Sequence, residues 1–223
     1  MLRNHLIKGA GGNPVEVIDS YIDYNAGNTA STAVDPTGGS SPLLLLTLSR
    51  RFVFGTPSAT VTSTADSYTS IDTYSSGVFS AYGGGMINVL ELANVADSSS
   101  ITASISNSGG SFGATNTLAA VLLDNLTASA TINDVTINIS GSSTITETVD
   151  VVKNGILIIL AEDNATQAVT ESGSSLLGAV TQTASDGGRI LYYANVEDTG
   201  TATIESIITG GSFEGLILIS IAP

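Results

Sequence analysis

The stretch "ANVADSSSITASISNSGGSF" runs from Ala93 to Phe112, and "ANVEDTGTATIESIITGGSF" runs from Ala194 to Phe213. Both open on Ala-Asn-Val, carry Asp at the fifth place and close on Gly-Gly-Ser-Phe, and every matched residue lies 101 positions from its counterpart. Each copy reads as a strand, a polar turn, a strand and a Gly-Gly turn. A nearly all-apolar run follows each, "LAAVLL" after the first and "LILISI" after the second. Runs of that kind belong to strands covered on both faces, because a half-exposed strand alternates apolar with polar residues. Upstream of each copy stands another apolar run, "LLLLTL" and "ILIILA", followed by a Ser/Thr-rich hairpin. The chain therefore reads as two halves on one plan, 41–127 and 128–223.

Strand signals recur along this whole region. They predict strands at Leu43–Leu48, Ala59–Thr64, Val78–Ala81, Met86–Leu92, Ser100–Ile105, Leu118–Leu123 and Thr131–Ile139. More follow at Thr144–Val152, Ile156–Ala161, Ala165–Thr170, Leu177–Thr183, Ile190–Ala194, Thr201–Ile207 and Leu216–Ile221. "TINDVTINIS" and "TITETVDVV" alternate cleanly, and no segment carries a helical period. Many short strands with Gly, Ser, Asn and Asp turns point to an all-β antiparallel sandwich of jelly-roll or Greek-key type over 41–223. No Pro/Gly linker separates the halves, so a single sandwich built from both is expected. Residues 1–40 differ: "GAGGNP" and "NAGNTASTAVDPTGGSSP" read as an extended arm with one strand over Val15–Ile22, and its tip carries Arg3, His5 and Lys8.

Composition narrows the function classes. There is no Cys, which removes disulfides and thiolate metal sites, and no Trp. Twenty acidic residues against six basic ones give a net charge of −14, the wrong sign for a nucleic-acid partner. The apolar runs are strand-length and fall short of the ~20 residues of a membrane helix, so no membrane insertion is expected. The N-terminal "MLRNHLIKGAGG" lacks the apolar core of a secretory signal, which predicts synthesis in the cytoplasm.

Candidate chemistry fails on context. "GGSFG" (Gly109–Gly113) has the form of a nucleophile elbow around Ser111, but no helix follows, and the second copy departs from it at Glu214. The only His, His5, sits in the arm, so a Ser-His-Asp triad has no base. Gly109, Gly110 and Phe112, with Gly210, Gly211 and Phe213, are read instead as matched repeat turns. The acidic pairs Glu162-Asp163 and Glu197-Asp198 fall at strand ends, as solvated turns do, and no Trp platform accompanies them for a sugar. "ASDGG" and "LAEDN" lack the spacing of a calcium loop. Asn125, Asn138 and Asn164 head glycosylation triplets of the kind that Ser/Thr-rich sequence produces by chance. Arg50-Arg51 suits acids across an interface better than phosphate. No catalytic residue, cofactor or metal is expected.

With its "LLLL" strand, "INVLELANV…SSSITASIS…FGATNTLAAVLLDNL", "NGILIILAEDN" and closing "TATIESII…GLILISIAP", the chain over 41–223 resembles the Ser/Gly/Thr-rich β-sandwiches of tailed-phage virion proteins. That resemblance implies a non-enzymatic virion structural protein, decorating a capsid or forming part of a fibre or tail. Its partners would be copies of itself and other virion proteins. The alternative is an adhesin module for a host receptor or glycan, which would gather Tyr68, Tyr74, Phe79 and Tyr82 at one loop end.

Overall fold

In a computed structural model, the described residues are 14–25, 29–32, 43–52, 56–63, 68–81, 84–95, 101–108, 116–126, 130–140, 143–162, 166–209 and 214–223. Side chains are described for 14–24, 117–126, 130–138, 143–161, 168–207 and 215–223. The elements are β1 (Glu16–Asn25), β2 (Thr29–Thr32), β3 (Leu43–Phe52), β4 (Thr56–Ser63), β5 (Tyr68–Ala81), β6 (Gly84–Val95), β7 (Ile101–Ser108) and β8 (Asn116–Asp124). They continue as β9 (Thr131–Ser140), β10 (Thr144–Val151), β11 (Ile156–Glu162), β12 (Thr166–Glu171), β13 (Thr181–Asp186), β14 (Arg189–Asn195), β15 (Gly200–Thr209) and β16 (Glu214–Ala222). No helix occurs among the described residues, and the strand pairings are antiparallel. The all-β reading holds.

Four sheets result. Two have five strands, ordered β1-β8-β3-β6-β5 and β13-β14-β11-β16-β9; two have three, ordered β2-β7-β4 and β10-β15-β12. Raising each strand number of the first five-stranded sheet by eight, and reversing the list, reproduces the second; the same shift converts β2-β7-β4 into β10-β15-β12. The described residues of the repeated stretches fall at matching places, on β6–β7 and β14–β15. Asn94 pairs with Leu43, the first residue of β3, and Asn195 pairs with Ile156, the first residue of β11.

The apolar runs explain the stacking. Along β11, Ile156, Ile158 and Leu160 enter one buried cluster, while Leu157, Ile159 and Ala161 enter another. The first cluster also takes Ala119, Val121 and Leu123 of β8, Ile217, Ile219 and Ile221 of β16, Leu191 of β14 and Ile22 of β1. It thus fills the space between the two five-stranded sheets. The second takes Ile145, Val149, Ala202 and Ile204, and lies between β11–β14–β16 and the sheet of β10, β12 and β15. On β8, Leu118, Ala120 and Leu122 face away from the first cluster and are also fully buried. On that side β2 lies against β8 and β4 against β6. The central strands are therefore covered on both faces, the situation that makes a strand uniformly apolar. At about 25 cal/mol per Å² of apolar surface removed from water, this double burial dominates the favourable side of folding.

Some elements differ from the sequence reading. β5 begins ten residues before the expected Val78, at Tyr68. "YTSIDTYSSG" is polar yet rich in Thr and Tyr, which suit a strand, and two register shifts, after Ser70 and after Ser75, break its period. Leu177 does not open β13 but forms an isolated bridge to Val196, because the Glu171 carboxylate accepts from Ser174 Oγ and from the Leu176 and Leu177 N–H groups and holds that loop. Within 1–40, β1 begins one residue after the strand read at 15–22, extends three residues beyond it and pairs along its length with β8, while β2 pairs with β7. Val15 and Ile22 are buried in the shared cluster.

Candidate functional site

Of the residues singled out from sequence, Arg3, His5 and Lys8 lie outside the described residues, as do Gly109, Gly110, Ser111, Phe112, Gly210, Gly211 and Phe213. Asp163, Asn164 and Tyr82 lie outside them too. Glu197 and Asp198 sit in the turn before β15. The Glu197 and Asp198 N–H groups donate to Leu176 O, and Asp198 meets the Lys153 ammonium at 2.9 Å. Both partners of that pair are more than half exposed, so it contributes little to stability. The Asn138 amide, within β9, donates to Glu147; the Asn125 amide donates to Pro14 O at 3.0 Å. Asp186 belongs to the β13–β14 hairpin, whose Gly187 and Gly188 have φ of 53° and 81°, the conformation a two-residue turn of this hand requires. Among the described residues no three His, Cys, Asp or Glu side chains gather as a metal site.

Unpaired edge backbone invites another strand, so the way each edge is finished decides what can join it. β1 lies against β13 and β14, with the Ser20 hydroxyl 2.7 Å from the Thr183 hydroxyl and donating to Thr183 O. At its end the Tyr24 N–H donates to Asp186 Oδ2 at 2.8 Å, and the Arg189 guanidinium covers the Tyr24 ring. β5 lies against β9. β2 has only four residues, and β4 contains Pro57, which has no N–H to offer. The open side of β10 is finished by side chains of β9. Asp134 Oδ2 accepts from Asp150 N–H, Asn133 Nδ2 donates to Asp150 O, and Thr136 Oγ1 donates to Thr148 O.

Among the described residues, β12 is the remaining edge. Ser172 N–H donates to Thr203 O, so with alternating pairing Thr170, Ala168 and Thr166 face β15 through their backbone. Gln167, Val169 and Glu171 consequently present N–H and C=O groups outward. The exterior of this sheet is a Thr-rich face of Thr144, Thr146, Thr148, Thr201 and Thr170, with Asp150 and the partly exposed Glu205 among them. Thr201 Oγ1 donates to Asp150 Oδ1 at 2.6 Å, one of the cross-strand pairs that hold such a face.

Comparison with protein-family models, with curated proteins and with solved structures returned no match.

Proposed function

We propose that the chain is a non-enzymatic structural building block, made of two related jelly-roll halves and assembled through subunit contacts. A jelly roll is a long antiparallel hairpin rolled on itself, so its strands pair 1 with 8, 2 with 7 and 3 with 6. β1–β8, β2–β7 and β3–β6 are such pairs in the first set; β9–β16, β10–β15 and β11–β14 are their counterparts. In both sets the fifth strand joins the sixth, which widens one sheet to five strands and leaves three in the other. The observation that carries the proposal is this repeated order, together with the apolar cluster between the five-stranded sheets. A duplicated unit docked on its own copy gives bulk and stiffness at modest chain length. The virion setting, with synthesis in the host cytoplasm and capsid, fibre or tail as its place, rests on the resemblance in sequence.

Electron microscopy of the purified chain at high concentration, with a glycan-binding screen beside it, tests this. Regular oligomers or fibres without glycan binding are expected. Single particles that bind a glycan would favour the adhesin reading and overturn this one.

A further inference from the structure

We propose that Asn154 is a modification site of this chain: its side-chain amide cyclises onto the Gly155 nitrogen and deamidates when the turn before β11 opens, and the folded turn holds the reaction off.

The reactivity comes from the sequence. Asn154-Gly155 is the one Asn-Gly pair in the chain. Glycine has no Cβ to shield its nitrogen, so attack on the preceding side-chain amide is least hindered there. Gly155 N gives up its proton and bonds to Asn154 Cγ, while the side-chain nitrogen takes a proton and leaves as ammonia. Water then opens the cyclic imide at either carbonyl. Breaking Cγ–N leaves aspartate at 154. Breaking the bond between N and the main-chain carbonyl carbon leaves isoaspartate, whose main chain runs through Cβ and Cγ and is one carbon longer.

The fold withholds what the first step requires. The Gly155 N–H donates to Val152 O at 2.9 Å, so the attacking nitrogen is engaged within the turn. Asn154 takes the positive-φ place of that turn, at 65°, which suits Asn or Gly. Asn154 N–H donates to Val196 O and Val196 N–H donates to Gly155 O, each at 3.0 Å. These two bonds tie the backbone on both sides of the 154–155 peptide group and oppose the rotation that ring closure needs. Val196 is anchored in the second apolar cluster, and Gly155 is buried. Deamidation therefore waits on local opening and is slowed by the free energy of that opening.

The two products differ in what they allow afterwards. Aspartate keeps the main chain and fits the turn. Isoaspartate does not, because a Cβ on Gly155 would already stand 2.3 Å from Ile221 O and 2.9 Å from Val152 O, both backbone atoms. The bonds to Val196 also bracket the lengthened stretch, so they cannot both form again. An opening that ends in isoaspartate is thus irreversible, and the site sets a limit on kinetic stability.

The test ages full-length protein in mildly alkaline buffer, with and without urea, and reads each Asn by peptide mass mapping with an isoaspartate assay. In urea, Asn154 should react faster than any other Asn; in buffer it should react about tenfold or more slowly than in urea. After urea is removed, isoaspartyl-154 chains should be absent from the refolded fraction and aspartyl-154 chains present in it. Asn154→Gly aged in urea should refold more fully than wild type aged alongside; if that variant does not fold, the two wild-type readouts decide. Equal rates at Asn154 in buffer and urea, no reaction there in urea, or isoaspartyl-154 chains that refold as fully as unaged protein would each overturn the proposal. So would an aged Asn154→Gly chain that loses refolding as wild type does.

Discussion

The Arg189 guanidinium lies over the Tyr24 ring, 3.7 Å from its centroid, and joins the end of β1 to the hairpin between β13 and β14. The two residues are 165 positions apart (189 − 24), and this contact closes the edge of the space shared by the two five-stranded sheets. A third residue, Gly187, makes the fit possible: a Cβ there would stand 2.4 Å from Tyr24 Cδ1.

Gly187→Ala should therefore destabilise the chain by about 1–3 kcal/mol, combining the strain of positive φ with the clash against Tyr24. In a Tyr24→Ala background the same substitution should cost only the backbone strain. Urea unfolding of the four members of this cycle measures the coupling.

Gly155→Ala should be worse. Its Cβ would meet Ile221 O at 2.3 Å and Val152 O at 2.9 Å, both backbone atoms that cannot rotate away. A loss of about 3 kcal/mol or more is expected, read as a lowered denaturant midpoint. Asn154, just before it at φ 65°, should tolerate Gly with little change.

Adjacent residues of β11 should both be costly. Leu157→Ala and Ile158→Ala point to opposite faces, yet each should lose about 2–5 kcal/mol, because each enters a packed cluster. In β10, covered on one face only, Ile145→Ala should cost a similar amount and Thr146→Ala less than about 0.5 kcal/mol. Guanidinium unfolding of the four variants distinguishes a doubly covered strand from a singly covered one.

Burial raises the Tyr192 phenol above its ordinary value of 10.0. The folded state then holds that proton more tightly than the unfolded chain. Its contribution is complete below about pH 10 and is lost as the pH climbs through the folded value. Tyr192→Phe should flatten this part of the alkaline stability profile and leave the profile below about pH 9 parallel to wild type.

Much of this architecture was legible in the chain. The apolar runs around Leu118, Ile156 and Leu216 declared strands hidden on both faces, and the Ala-Asn pairs that open the two repeated stretches fall on β6 and β14, which hold matching places. What pattern reading missed has physical causes. β1 was legible over 15–22, but it runs on to Asn25, where the polar residues Asp23 and Asn25 and an earlier register shift at Ile18 blur its period-2 signal. β2 is four residues of Thr, Ala and Ser with no apolar face to detect. The finish of the β10 edge depends on Asp134, Asn133 and Thr136 reaching backbone groups of another strand, a tertiary relationship that no local pattern encodes. The arm tip and the repeat turns lie outside the described residues.

The docking of the two five-stranded sheets is the central packing relationship of the fold, and one cross-link tests it most directly. Ser20 Oγ and Thr183 Oγ1 are 2.7 Å apart across β1 and β13, in a chain with no Cys. The Ser20→Cys/Thr183→Cys variant, oxidised at low concentration, should form an intrachain disulfide in a monomer of unchanged mass and gain about 3–5 kcal/mol against urea when oxidised, as closure of so long a loop predicts. Free thiols after oxidation, or disulfides formed only between chains, would contradict the stacking of the two five-stranded sheets.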